Sequence, residues 1–133
     1  MSPDRPPHLQ WGNLALVVAG GAAGTAGRGA VEASFPAAGP WAILAINVVG
    51  SLLLGILVAW VARPGAGLAS RAARLAVGTG ALGGFTTYST FALDVVRLGP
   101  TPAAVGYAVG SVVLGALAAG AGLALGHQLA QRT

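Results

Sequence analysis

The chain has 133 residues, of which 55% are hydrophobic and only 8% charged, with 22 glycines, no cysteine and a net charge of +4. A soluble domain carries about 25% charged residues, and a small one needs them most, because its surface is large for its volume; a soluble fold is therefore excluded. The basic residues are all arginine and stand singly or in small groups at the edges of apolar runs. They read as membrane-boundary residues and argue against a nucleic-acid partner.

Without cysteine there is no disulfide, thiolate nucleophile or cysteine metal site. The only acids are Asp4, Glu32 and Asp94, and the histidines, His8 and His127, lie near opposite ends. No carboxylate pair or His/Asp constellation can form inside a membrane from these, so an enzyme is not expected. Uncharged stretches of 22, 30, 19 and 34 residues separate Arg5 from Arg28, Glu32 from Arg63, Arg74 from Asp94 and Arg97 from Arg132. Apolar runs of about 18 or more residues can cross a bilayer as helices. The expected fold is an all-α integral membrane protein, a single domain over 1–133, with spans near 13–32, 40–62, 75–96 and 103–129.

The first span opens at Trp11, an aromatic suited to the interfacial belt. Its middle, Ala19 to Gly27, is almost all small residues, and Arg28 with Glu32 marks the helix end. Arg5 before an apolar run also fits a signal peptide, but no short-chain cleavage motif follows, and we read a retained span. The second span lies between Pro40-Trp41 and Trp60 with Arg63, and Pro64–Gly67 reads as a flexible linker. Span four carries Gly106/Gly110, Ser111/Gly115/Ala119 and Gly122/Gly126 at spacings of four, and Gly20/Gly24 repeat the pattern in span one. Small residues so spaced let helices approach closely in lipid. Tight packing of short spans leaves no room for a wide aqueous cavity, so any cargo is small.

Polar groups inside spans tend to face a bundle interior or a pathway. Asn47, in the first half of span two, serves either as interhelical glue or as a pathway ligand. Span three is unusual. Gly78, Gly80, Gly83 and Gly84 precede Thr86, Thr87, Tyr88, Ser89 and Thr90, a poor composition for a regular helix. Unwound backbone at membrane depth is tolerated only where protein or water satisfies it, and broken helices of this kind handle ions in transporters. Gly78-x-Gly80-x-x-Gly83 matches a dinucleotide fingerprint, but it lies in an apolar span and Ala103 stands where an acid is needed. Tyr88 and Phe91 share a helical face if the segment beyond the break is helical. Their rings either pack against neighbours or offer positive edges to an anion.

These residues resemble the Fluc (CrcB) fluoride channels. Gly20-Gly-x-x-Gly24-x-x-x-Arg28 is similar to that family's first-span motif, Asn47-x-x-Gly50-Ser-x-x-x-Gly55 to its second, and Gly83-Gly-x-Thr-Thr-Tyr-Ser-Thr-Phe91 to its most distinctive stretch. The resemblance implies an antiparallel, dual-topology dimer with pores along its interface, passively exporting fluoride from the cytoplasm across the bacterial plasma membrane. It implies that Asn47 donates to fluoride and that Tyr88 and Phe91 take the places of the pore phenylalanines. Ser89 and Thr90 would belong to a polar track beside them, and Ser111 to the pore wall. The carbonyls of Gly83 and Thr86 would hold a structural sodium ion shared by both subunits, and Arg28 would anchor the first helix near a pore mouth. Tyr88 departs from the usual phenylalanine, keeping the ring edge and adding a hydroxyl.

A small four-span multidrug or cation exporter is the competing class, but it needs a carboxylate deep in the first span, and Glu32 stands at the span's end. A non-transporting assembly subunit would have no use for the polar third span. With four spans, Arg5, Arg63, Arg71, Arg74 and Arg132 share one side and Arg28 and Arg97 the other. That imbalance favours one orientation and leaves the partner open between a second copy and an oppositely oriented paralogue.

Overall fold

A computed structural model of the chain describes residues 10–63 and 67–131. Arg5, His8, Arg132 and most of the linker expected at Pro64–Gly67 lie outside the described residues. The elements are α1 (Trp11–Ser34), α2 (Pro40–Val61), α3 (Leu68–Ala73), α4 (Gly83–Phe85), α5 (Tyr88–Arg97) and α6 (Pro102–Gln131). A 3-10 turn, Pro36–Ala38, lies between α1 and α2, and a π-helical stretch, Arg74–Leu82, joins α3 to α4. The described residues form no strand.

Glycine and proline place the reversals. Gly39, at φ 51°, turns the chain into Pro40, which opens α2, and Gly99, at φ 67°, precedes α6. Both backbones are left-handed, a region glycine enters without a side-chain penalty, and proline's fixed φ suits a first helical turn. The Thr101 hydroxyl then caps α6 by accepting the Ala104 N–H at 3.2 Å.

Three helices, α1, α2 and α6, are long and apolar enough to cross a membrane. Residues 68–97 instead form a series of shorter helical pieces. Two close pairings organise them: α2 with α6, and α1 with the π-helical stretch and α4. In the first, a Cβ on Gly55 would strike the Ala119 carbonyl, one on Gly122 the Leu52 carbonyl, and one on Gly126 would come within 2.7 Å of Ile56 O. In the second, Gly20 lies against the Ala76 carbonyl, Gly24 against that of Ala81, and Gly84 against that of Gly21. Contacting residue numbers rise together in both pairs, so each pair runs parallel, and α1 and α2 run oppositely.

Lipid is as apolar as leucine, so such backbone-to-backbone approach supplies attraction that the hydrophobic effect does not. The π-helical stretch contains Gly78 and Gly80, whose weak helix preference lowers the cost of leaving α geometry. Not every small-residue pair packs as expected. Gly20/Gly24 and Gly122/Gly126 do, whereas Gly106 and Gly110 face open space. The first turns of α6 bury Ala104 and Tyr107 instead, which turns Gly106 and Gly110 outward.

Gly122→Ala should therefore destabilise the fold by about 1–3 kcal/mol through overpacking, while Gly29→Ala, which meets nothing within 4 Å, should not destabilise it and gains up to about 1 kcal/mol of helix preference. Unfolding of the purified variants by SDS in mixed micelles measures the difference.

Candidate functional site

The helical run ends at Phe85. Thr86 (φ −76°, ψ 156°) and Thr87 (φ −146°, ψ 125°) are extended, and α5 begins at Tyr88. Side chains absorb the backbone groups this interruption exposes. Thr86 closes the preceding turn, its N–H donating to Leu82 O at 3.0 Å and its hydroxyl to the same oxygen at 2.9 Å. Thr87 caps α5, its Oγ1 accepting the Thr90 N–H at 3.2 Å, and it also bonds the hydroxyls of Ser89 and Thr90 at 3.2 Å each.

Asn47 bridges the gap from α2. Its Oδ1 accepts the Thr87 N–H at 2.9 Å, and its Nδ2 donates to the Thr87 carbonyl at 3.0 Å. The amide thus pairs with Thr87 as a neighbouring strand would. On the far side, Thr25 Oγ1 and Arg28 Nε both reach the Gly84 carbonyl at 3.4 Å, while Arg28 Nη1 pairs with Glu32 at 3.0 Å. Arg28 therefore steadies the carbonyl end of α4, where the helix dipole is negative.

These diversions change what two carbonyls can do. In a continuous helix the Thr87 N–H would bond Gly83 O, and the Thr90 N–H would bond Thr86 O. Here the first goes to Asn47 and the second to the Thr87 hydroxyl. The carbonyls of Gly83 and Thr86 are left without those helical donors. They are hard neutral oxygens, of the kind that suits an alkali or alkaline-earth cation. No cluster of three or more His, Cys, Asp or Glu exists among the described residues.

A cleft of about 360 Å³ opens at the interruption, lined by Asn47, Gly50, Ser51, Gly83, Thr86, Thr87, Tyr88, Phe91 and Ser111 together with Leu54, Gly78, Leu82 and Val112. None of the described residues that line it carries a charge. Of the residues singled out by sequence, Asn47, Gly83, Thr86, Tyr88, Phe91 and Ser111 thus share one site. Ser89 and Thr90 stand outside its lining, bonded to Thr87, and Arg28 stands on α1 behind α4. Ser111 Oγ is buried and has no hydrogen-bond partner among the described residues. A buried hydroxyl left unsatisfied calls for an explanation, such as a ligand.

The aromatic residues form a file. The Tyr88 and Phe91 rings lie 5.8 Å apart and tilted, and Phe91 lies 5.6 Å from Tyr107, also tilted. Tyr107 is 8% exposed and donates its hydroxyl to Pro40 O at 3.2 Å, whereas Tyr88 is 81% exposed. The file therefore runs from the interior to an open outer face. Sequence reasoning missed Tyr107 and gave Thr87 no role beyond its place in the hydroxyl-rich stretch. The signals were the i,i+4 spacing of Tyr107 and Ser111, and Thr87 standing three before Thr90 as a cap would. Asp94, one turn past Phe91, is buried as well; its Oδ2 has no partner among the described residues and its Oδ1 lies 3.9 Å from Arg97 Nη1.

An all-helical chain with membrane-spanning helices and an uncharged polar cleft at a helix interruption is a small multi-pass membrane protein. Residues 15–123 match the family described as CrcB-like protein, Camphor Resistance (CrcB), and the chain belongs to that family. It is 47% identical over 110 residues to a "Fluoride-specific ion channel FluC" of Novosphingobium aromaticivorans, covering 76% of this chain and 85% of that protein. A protein of the same name from Agrobacterium fabrum is 47% identical over 124 residues, covering 88% of this chain and 98% of its own length. "Fluoride-specific ion channel FluC 1" of Rhodococcus jostii is 44% identical over 115 residues, covering 86% of each.

The Asn47 bridge is testable by stability. Asn47→Leu leaves the Thr87 N–H and carbonyl unpaired, and each orphaned group costs about 1–3 kcal/mol. An SDS unfolding series of Asn47→Leu against the unsubstituted chain measures that cost.

Proposed function

We propose that the chain is a fluoride-selective channel of the cell membrane, passively exporting cytoplasmic fluoride. The names of its relatives support the ion. The observation that carries the reading is the uncharged cleft in which the Asn47 amide, the unpartnered Ser111 hydroxyl and the Tyr88–Phe91 rings converge. Fluoride is small and bonds strongly to neutral donors. The second N–H of Asn47 and the Ser111 hydroxyl would each replace a hydration water, and ring edges would add positive quadrupole without a full charge. Sites of this strength admit an ion and still release it, as conduction requires. Tyr88 would add a phenolic donor at the outer end, with the hydroxyls of Ser89 and Thr90 as a polar track beside it.

The exposure of Tyr88 and the openness of the cleft support a second subunit closing the pathway, in an antiparallel, dual-topology dimer. Residues 68–97 would make the remaining crossing as a helix broken at Thr86–Thr87, completing a single four-span membrane domain. The carbonyls of Gly83 and Thr86 would hold a structural sodium ion between the subunits, which would supply fixed positive charge and tie the two interruptions together. With the cell interior negative, each exported anion gains about 2.3 kcal/mol per 100 mV, so no pump is needed.

Proteoliposomes containing only this chain should release fluoride and retain chloride when a potassium ionophore balances charge. Comparable chloride release would overturn the selectivity. Phe91→Ile, which keeps bulk and loses the ring edge, should largely abolish efflux while leaving assembly intact on gel filtration. Tyr88→Phe should be mild. Replacing sodium throughout by N-methylglucamine should weaken the dimer, read by crosslinking yield independently of flux.

Orientation is tested separately. The arginine imbalance supports insertion biased toward the N-terminus inside, which would make an oppositely biased paralogue an alternative partner, with a second copy of the chain as the default. Equal labelling of a single introduced terminal cysteine from both sides of the membrane in cells would restore the plain homodimer.

A further inference from the structure

Charge is divided unequally between the two ends of the helical bundle, and the structure sharpens that division. At the end holding the C-terminus of α1 and of α5, each arginine has an acid on its own helix. Arg28 bonds Glu32 at 3.0 Å, and Arg97 lies 3.9 Å from Asp94. Formal charge there sums to zero. At the opposite end, where α2 finishes and α3 starts, stand Arg63, Arg71 and Arg74, and no acid is found there among the described residues. All of the net positive charge of the described residues is concentrated at that end.

The side chains there are arranged for a membrane boundary. Arg63 stacks on Trp60, with Cζ 4.5 Å from the ring centroid, and its Nε donates to Trp60 O at 2.9 Å. Arg71 and Arg74 are three apart on one helical run, and Arg74 is exposed. Neither guanidinium has a carboxylate or hydrogen-bond partner among the described residues. Beside them Leu68 is 84% exposed, an apolar side chain that the other described residues leave uncovered.

We infer that this end of the bundle binds the phosphates of anionic lipid headgroups, with Arg71 and Arg74 as the principal contacts. A guanidinium is a planar fork that matches phosphate oxygens bidentately. Basic residues beside membrane helices recognise anionic lipid in this way. A free phosphate would satisfy the arginines and leave Leu68 and the Trp60 ring in water. A lipid satisfies both, with its headgroup on the arginines and its chain along the apolar side chains. The proposal is independent of what the cleft conducts.

Tryptophan fluorescence tests it. The double variant Trp11→Phe/Trp41→Phe leaves Trp60 as the reporter at the basic end; Trp11→Phe/Trp60→Phe leaves Trp41 at the neutral end. Each is reconstituted in vesicles of fixed phosphatidylglycerol and phosphatidylcholine content, with bromine quenchers carried on one lipid or the other. At Trp60, quenching should report a local phosphatidylglycerol enrichment of about fivefold for each arginine that contacts the headgroup; at Trp41 it should report none. Arg71→Gln with Arg74→Gln should remove the enrichment, and soluble glycerol phosphate should not. No preference at Trp60, an equal preference at Trp41, or one that survives the arginine substitutions would overturn the proposal. Competition by glycerol phosphate would reassign the site to a soluble anion.

Discussion

In hydrocarbon, a main-chain N–H or C=O without a partner is so costly that membrane-spanning backbone is normally helix or closed barrel. Between α4 and α5 the chain leaves helical geometry at Thr86 and Thr87, and its polar organisation follows from how the backbone groups exposed there are satisfied. Asn47 lends Thr87 the donor and acceptor of a missing strand. Thr87 lends α5 a cap. Thr25 and Arg28 reach the carbonyl end of α4. Once these bonds are made, the interruption holds a fixed geometry, and the oxygens of Gly83 and Thr86 are released from helical duty.

The glycine contacts serve the same end from outside. Because α1 lies almost backbone to backbone on the π-helical stretch and α4, Arg28 and Thr25 stand close enough to reach Gly84. Because α2 closes on α6 through Gly55, Gly122 and Gly126, the cleft between Asn47 and Ser111 has rigid walls. A packed helical frame of this kind is what lets polar side chains hold a site to sub-ångström tolerance. Small residues thus position the cleft, although the glycines that make these close contacts stand outside its lining.

Much of this was legible in the sequence, for physical reasons. Apolar runs between charges marked helices that cross a membrane, since length and hydropathy are all that lipid requires of a helix. The glycines and hydroxyls of 78–90 marked an irregular segment because propensity disfavours a regular helix there. Asn47 was visible as a polar group in an apolar run, but its partner was not, since a bond to main chain leaves no trace in the partner's side chain. Tyr107 went unremarked because an aromatic in an apolar helix looks like packing until its neighbours are known. Gly106 and Gly110 show the converse, as spacing that permits close approach does not determine which helix, if any, approaches.

The bond between Asn47 and Thr87 has a consequence for how such a chain can diverge. It uses a side chain at one end and only peptide atoms at the other. Residue 47 is therefore held to an amide of one length, while residue 87 answers to its separate duty as a cap and could become serine without disturbing the bridge. Substitutions at the two positions need not be correlated, although the residues touch. A search for co-varying pairs would pass over the contact on which the helix interruption rests, and the history of this site would be recorded at position 47 alone.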